Sequence, residues 1–145
     1  MAPGKQVVDS PVGWVAKHIH EYEQSNGAQG HKWRGQTTLL LTTRGRRSGK
    51  LRRTALIYGR DGENYLLVAS NGGSDDHPSW YLNLVAHPKV ELQVGAEKFP
   101  ARARTANAKE KPRLWKIMST LFPQYDKYQQ KADRKIPLVI VERVS

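Results

Sequence analysis

The chain has no cysteine. Disulfides, thiolate nucleophiles, Cys-ligated zinc and iron–sulfur clusters are therefore excluded, and a reducing cytosol suits the composition. Long apolar runs are also missing. Runs such as Leu39-Leu40-Leu41 and Leu138-Val139-Ile140-Val141 fall far short of the ~20 residues that a membrane-spanning helix needs. The opening MAPGKQVVDSPVGW has no apolar segment of the kind a secretory leader carries, so the expected location is cytoplasmic. Catalytic signatures are absent as well: there is no GxSxG, no HExxH and no Ser–His–Asp/Glu set. No GxGxxG follows a strand, which leaves a Rossmann dinucleotide site unsupported. His18 and His20 would not share a helical face, and Asp75-Asp76-His77 reads as a polar loop rather than a metal site. If the protein is an enzyme, a bound cofactor supplies its chemistry.

Acidic residues are scarce in one particular place. From Gln24 to Arg60 there is no Asp or Glu, yet Lys32, Arg34, Arg44, Arg46, Arg47, Lys50, Arg52, Arg53 and Arg60 all fall there. These nine cations account for most of the net charge of +11. The density peaks over Arg44-Gly45-Arg46-Arg47-Ser48-Gly49-Lys50-Leu51-Arg52-Arg53. Like charges so crowded repel one another unless an anion lies among them. The remaining figures are those of an ordinary soluble domain: 145 residues, 38% hydrophobic, 26% charged, mean hydropathy -0.68.

The pattern along the chain divides it into an N-terminal helix and linker, residues 1–36, and a main domain, residues 37–145. Pro11 to Gln24 reads as a helix capped by Ser10, with Val12, Val15, Ile19 and Tyr22 on one face. Ser25 to Gly35 reads as a loop. Strands are expected at Thr37–Thr43, Thr54–Tyr58, Tyr65–Ala69, Val90–Val94, Lys98–Thr105 and Ile136–Val144. Asp61-Gly62 is a hairpin turn, and Pro100 suggests an edge or a bulge. Helices are expected at Ser79–Ala86, capped near Ser79 or Asp76, at Ala108–Leu121, and at Gln124–Ala132. Hairpin-linked strands with helices at the edges give an α+β fold, whose strands could curl into a small barrel.

Three constellations could carry function. The first is the basic turn, where two glycines would aim backbone N–H groups, Ser48 its hydroxyl and Arg46, Arg47 and Arg52 their guanidinium forks at one oxyanion. It is not a Walker A loop, because Leu51 follows Lys50 where Ser or Thr is required. The second is Val68-Ala69-Ser70-Asn71-Gly72-Gly73 with Ser79-Trp80-Tyr81-Leu82-Asn83. Small residues there would let a flat ring approach, and Trp80 and Tyr81 would either wall it or, with Leu84, dock a helix on the sheet. The third is Phe122-Pro123-x-Tyr125-x-x-Tyr128. The two tyrosines share a helical face and could line an aromatic pocket or serve ordinary packing.

Taken together, LLTTRGRRSGKLRRTALIYGRDG, LLVASNGG, HPSWYLNLVAHPKVELQV and LFPQYDKYQQKADRKIPLVIVE closely resemble the deazaflavin-dependent nitroreductase family of actinobacteria. The match runs in one order from Leu39 to Glu142. The resemblance implies a split β-barrel of the flavin-reductase and pyridoxamine-phosphate-oxidase kind. It also implies coenzyme F420 as cofactor and, in its reduced form, as hydride donor. The phosphodiester and polyglutamate tail of that cofactor make it a polyanion, in keeping with the basic turn. By the family's pattern Arg46, Arg47, Ser48 and Arg52 hold the phosphate and tail, with Arg53, Thr54 and Ala55 continuing along it. Val68, Ala69, Ser70 and Asn71 line the ring, Ser79, Trp80, Tyr81, Leu82 and Asn83 close over it, and Tyr125 lies nearby. A hydrophobic small-molecule substrate would stack near Phe122, Tyr125 and Tyr128, with Tyr125, Tyr128 or water supplying a proton. The acceptor classes implied are an enone or unsaturated lactone, a quinone, or a nitroaromatic. The sequence departs from some members at Phe122 (a tyrosine), Ile57 (an aromatic residue) and Asn71 (a lysine).

Other readings make different predictions. An FMN oxidoreductase on the same barrel would be yellow as isolated. A basic nucleic-acid binder would lose duplex affinity steeply with salt, but its cations would not gather on one turn without a recognition helix. Peripheral contact with the inner membrane face would run through the basic surface and Trp14, Lys17 and His18.

Overall fold

The computed structural model describes residues 7–9, 13–25, 32–33 and 36–144. The elements run β1 (Val7–Asp9), α1 (Gly13–Gln24), β2 (Lys32–Trp33), β3 (Gln36–Arg44), β4 (Leu51–Ile57), β5 (Gly59–Asp61) and β6 (Asn64–Val68). A 3-10 turn (Asn71–Gly73) and α2 (Ser79–Ala86) follow. Then come β7 (Lys89–Val94), β8 (Glu97–Thr105), α3 (Lys111–Leu121), α4 (Gln124–Lys131) and β9 (Leu138–Arg143).

The strands pair in the order β1-β4-β3-β7-β8-β9-β6-β5, and β2 pairs with β3. Apart from the parallel β1–β4 contact, every pairing is antiparallel. β4 and β5 stand toward opposite ends of that order, yet only Tyr58 separates them in the chain. The sheet must therefore curl round until its two ends meet, which makes a half-barrel rather than a flat sheet.

Period-two alternation of apolar residues sorts the side chains into an inside and an outside. Leu39 and Leu41 of β3, Tyr65 and Leu67 of β6, and Val139 and Val141 of β9 point inward, where they meet Leu92, Phe99, Ala101 and Ala103. Their sequence neighbours point outward. Leu66, Val68, Leu138 and Ile140 are covered by Leu114 and Met118 of α3 and Tyr125 of α4. Leu40 is covered by Ile19 and Tyr22 of α1. Strands buried on both faces explain why β6 and β9 are continuous apolar runs. The Tyr22 hydroxyl fastens α1, donating to Thr38 O (3.2 Å) and accepting from the Gly95 N–H (2.6 Å).

Several expectations need adjusting. Strand β4 begins at Leu51, so Arg52 and Arg53 lie on a strand and not in the turn. Part of the expected Ser25–Gly35 loop forms β2. Pro100 is neither on an edge nor at a bulge: β8 lies between β7 and β9, and the Glu91↔Pro100 register is unbroken. It is tolerated because β9 ends at Arg143, so the missing donor falls where the ladder runs out; its carbonyl still accepts the Val144 N–H (3.0 Å). Helix α2 is preceded by Pro78, with no side-chain cap from Ser79 or Asp76. Ser10 and Pro11 lie outside the described residues, as do the side chains of Trp14 and His18. Among the described residues no helix is long and apolar enough to cross a membrane.

Candidate active site

The basic turn closes the β3–β4 hairpin. The Gly45 N–H donates to Lys50 O (2.7 Å) and the Gly49 N–H to Gly45 O (2.9 Å). The Lys50 N–H donates to Ser48 Oγ (3.2 Å) and the Arg46 N–H to Asn83 Oδ1 (3.1 Å). The glycines thus serve the turn itself. Gly49 has a left-handed φ of +71°, and a Cβ on Gly45 would lie 2.7 Å from Ser48 Oγ. The N–H groups of Gly45, Arg46, Gly49 and Lys50 are thus engaged within the protein. The side chains of the turn are a further set of donors.

Those side chains are available. Arg46, Arg47, Lys50 and Arg52 are exposed, and none of them has a carboxylate partner among the described residues. Arg46 also donates from Nη1 to Asn83 Oδ1 (2.9 Å), and Asn83 Nδ2 faces Thr43 Oγ1 at 3.5 Å. Asn83 is 3% exposed, so a buried amide pins the turn to α2. Alternation along β4 separates the expected residues into two groups. Ala55 packs beneath α1, and Arg53 pairs with Glu23 of α1. Arg52 and Thr54 lie on the other face.

At the far end of β6, Val68 and Ala69 are buried, and Ser70 is nearly so. Asn71 has a positive φ of 47°, the one non-glycine residue so placed among those described. Its Nδ2 donates to Asp76 O (3.0 Å). Gly73 combines a φ of +84° with close approach to α4: a Cβ there would stand 3.2 Å from Tyr128 Cα and from its carbonyl oxygen. Helix α2 covers this end of the barrel. Leu84 is buried in the barrel core and Trp80 packs against it, so the docking role of both is real. The Tyr81 hydroxyl lies 2.9 Å from Thr105 Oγ1, and its ring lies 5.0 Å from that of His77. Ser79 is exposed and Leu82 half-buried.

The third group gathers where α3 meets α4. Phe122 lies 5.0 Å from Tyr125 and 6.5 Å from Tyr128, and the two tyrosine rings are 6.5 Å apart. Burial pushes the Tyr125 phenol well above its usual range, with Tyr128 contributing. Tyr125 is therefore protonated at any working pH. No described residue bonds its hydroxyl, and no sealed side-chain polar atom is left unpartnered, so that hydroxyl opens to solvent.

The three constellations, distant in sequence, share one continuous framework. Asn83 joins the turn to α2, the tilted His77–Tyr81 ring contact joins α2 to the segment after β6, and Gly73 joins that segment to Tyr128. Sequence reading missed one contributor. Arg134, between α4 and β9, reaches the backbone of that segment and His77. Nothing local marks it, because its partners lie 57 to 65 residues earlier.

This curled barrel, with a basic turn and an aromatic corner at one end, is a split barrel. A distant neighbour in fold is a pyridoxamine 5'-phosphate oxidase-like chain of Listeria innocua (TM-score 0.54, 13% identity, covering 74% of this chain and 84% of that one). Nearer structures include an F420H2-dependent reductase, FDR-A (TM-score 0.67, 42% identity, 72% of this chain and 93% of that one). Another is described as a domain-swapped dimer (TM-score 0.71, 38% identity, 92% and 100% coverage). An F420H2-dependent quinone reductase of Mycobacterium tuberculosis H37Rv is 37% identical over 143 residues, covering 90% of this chain and 96% of its own. The profile of the F420H2-dependent quinone reductases matches residues 14–143. The chain belongs to that family: it is an oxidoreductase whose cofactor is coenzyme F420.

The residues present suit that cofactor. A polyanionic tail needs cations that are not already neutralised, and the turn presents them on a scaffold braced by Asn83.

Proposed function

We propose that the chain reduces a quinone or a similarly electron-poor hydrophobic molecule, the alternatives being an enone, an unsaturated lactone or a nitroaromatic. When bound, the reduced deazaflavin supplies a hydride. In this reading Arg46, Arg47, Ser48 and Arg52 hold its phosphate and tail, and Thr54 borders the path on the face of Arg52, while Arg53 and Ala55 back that strand from the α1 side. Val68, Ala69, Ser70 and Asn71 form the floor for the ring, and residues 79–83 cover it. Phe122, Tyr125 and Tyr128 bound the acceptor site. Tyr125, protonated and with a hydroxyl open to solvent, delivers a proton to the acceptor as charge develops on it; Tyr128 or water is the alternative donor. The chain's share of the catalysis is proximity, orientation and exclusion of water. Residues 37–145 are the cofactor-binding unit, with the helix and linker of residues 1–36 appended.

The observation that supports this most is the unpaired cationic turn locked to the helix above the barrel mouth. The deciding test is fluorescence titration of coenzyme F420 with the wild-type chain and Arg47→Glu. Saturable wild-type binding, weakened by about tenfold or more in the variant through a lost charge-assisted bond and added repulsion, is expected. Absence of saturable wild-type binding removes the reading. Anaerobic oxidation of the reduced cofactor against quinones, enones and nitroaromatics then separates the acceptor classes.

The net charge of +11 also supports peripheral contact of a cytoplasmic protein with an anionic membrane face. Sedimentation with anionic and with neutral liposomes tests that, and equal recovery in both supernatants removes it.

A further inference from the structure

The Arg134 guanidinium uses four of its five N–H donors, and all these partners lie in residues 69–78. Nε donates to Ser74 O (2.9 Å), and Nη2 donates to Ala69 O (3.2 Å) and Ser70 O (3.0 Å). Nη1 lies 3.0 Å from His77 Nδ1. None of these partners is a carboxylate, and Arg134 makes no ion pair among the described residues. A cation bonded to three carbonyls and an imidazole acts as a clamp on backbone, not as half of a charge pair. The neighbouring Asp133 N–H adds a second tie, donating to Asp75 Oδ1 (2.7 Å).

The chemistry at His77 is one-sided. Arginine can only donate, so Nδ1 must accept and the ring must be neutral, with its proton on Nε2. The groups around it are Asp75 and Asp76 on its own segment, Tyr81 from α2, and Arg134 and Asp133 from the α4–β9 connection. A proton on Nδ1 would remove the acceptor and set two cations about 3.0 Å apart. Burial and Arg134 hold the imidazole below its usual value, against the weaker upward pull of Asp76. The neutral ring is thus the form that the fold selects.

We propose that Arg134 is a positioning residue. It fixes the Ala69 and Ser70 carbonyls and, through neutral His77 packed against Tyr81, ties them to α2, so that the clamp opens when His77 gains a proton. The inference rests on the reading of residues 68–71 as the floor beneath the cofactor ring. Arg134 touches neither cofactor nor substrate in that reading. It acts through the backbone that does.

Amide exchange of the cofactor-free protein reads the clamp without any contribution from ionisation of the cofactor. The reporters are the Gly73 and Ser74 N–H groups, which donate to Ser70 O and Asn71 O. After correction for intrinsic exchange, wild-type protection should fall about tenfold between pH 7.5 and 5.5, the effect of losing one charge-assisted bond. His77→Gln keeps an acceptor that cannot titrate, so its protection should be flat over that range. Arg134→Lys should exchange about tenfold faster already at pH 7.5. An acid-dependent loss in His77→Gln equal to wild type overturns the proposal, as does wild-type protection in Arg134→Lys. Should the lysine variant fail to fold, His77→Gln decides alone.

Cofactor titration at pH 7.5 completes the test. Arg134→Lys should weaken binding while keeping the wild-type salt dependence, whereas Arg47→Glu should flatten it. Unchanged affinity in Arg134→Lys overturns the positioning role. If no variant binds, wild type included, while the exchange pattern holds, the clamp stands and the cofactor reading fails.

Discussion

At the scale of single residues, the site relies on groups whose charge state is fixed by their surroundings. Tyr125 is 5% exposed, and its burial keeps the phenol protonated. Because no described residue bonds its hydroxyl, Tyr125→Phe should change stability by less than about 0.5 kcal/mol. If that hydroxyl is the proton donor, the same variant should lower kcat for quinone reduction by about 100-fold with little change in KM. Stopped-flow oxidation of the reduced cofactor separates the two parameters. An unchanged kcat would pass the proton to Tyr128 or to water. Phe122 beside it adds apolar surface without a hydroxyl, so the hydroxyls of that corner are those of Tyr125 and Tyr128.

Among the elements, α2 does two jobs through one face, on which Trp80, Asn83 and Leu84 stand at i, i+3 and i+4. Leu84 and Trp80 dock it on the barrel core, and Asn83 holds the basic turn from its buried side. Asn83→Ala removes the acceptor used by both the Arg46 N–H and its guanidinium, and it leaves a gap where a buried amide stood. A loss of about 1–3 kcal/mol is expected in denaturant unfolding. Cofactor affinity should fall even though Asn83 carries no charge, because Arg46 is then free to move. Affinity equal to wild type would mean that the turn keeps its shape without α2. The alternation on β4 belongs to this scale too. A one-residue slip in register would put Thr54 in the place of Ala55 beneath α1 and turn Arg53 to the opposite face, away from Glu23. The Glu23 partner of Arg53 and the Tyr22 bonds to both β3 and the β7–β8 turn oppose such a slip.

For the whole molecule, charge sets the response to salt and acid. Raising ionic strength from 0.01 to 1 M shortens the screening length from about 30 to about 3 Å. Cofactor affinity measured across that range should fall steadily, and a salt-independent Kd would remove the electrostatic role of the turn. Acid acts elsewhere. Arg113 holds the Asp61 carboxyl below its usual value, and Arg104 does the same for Glu110. For a lowered carboxyl, the stabilisation is complete above the ordinary value near 4 and is lost as pH falls through the lowered one. Melting temperature should therefore hold from pH 7 to about 5 on account of these pairs and drop below about 4. Asp61→Asn should remove part of that drop in a pH series of thermal melts. Because Asp61 and Arg113 join β5 to α3 at the surface, the drop should not depend on the cofactor.

The sequence by itself determined the longer strands, the helices and the lopsided charge, whereas the short β1, β2 and β5 carry no alternation that marks them. Alternation and helical spacing are local properties, and a stretch without a single acid from Gln24 to Arg60 is visible in one dimension. It also carried the family resemblance, since the four segments keep their order. Only the tertiary structure decided which cations share a face, because strand register separates Arg52 from Arg53. It alone revealed that the glycines of the turn spend their own N–H groups on the turn. It alone joined Asn83 to Arg46, Gly73 to Tyr128 and Arg134 to His77. Hydrogen bonds and close contacts between distant segments follow from how the barrel curls, and no local pattern of residue types encodes them.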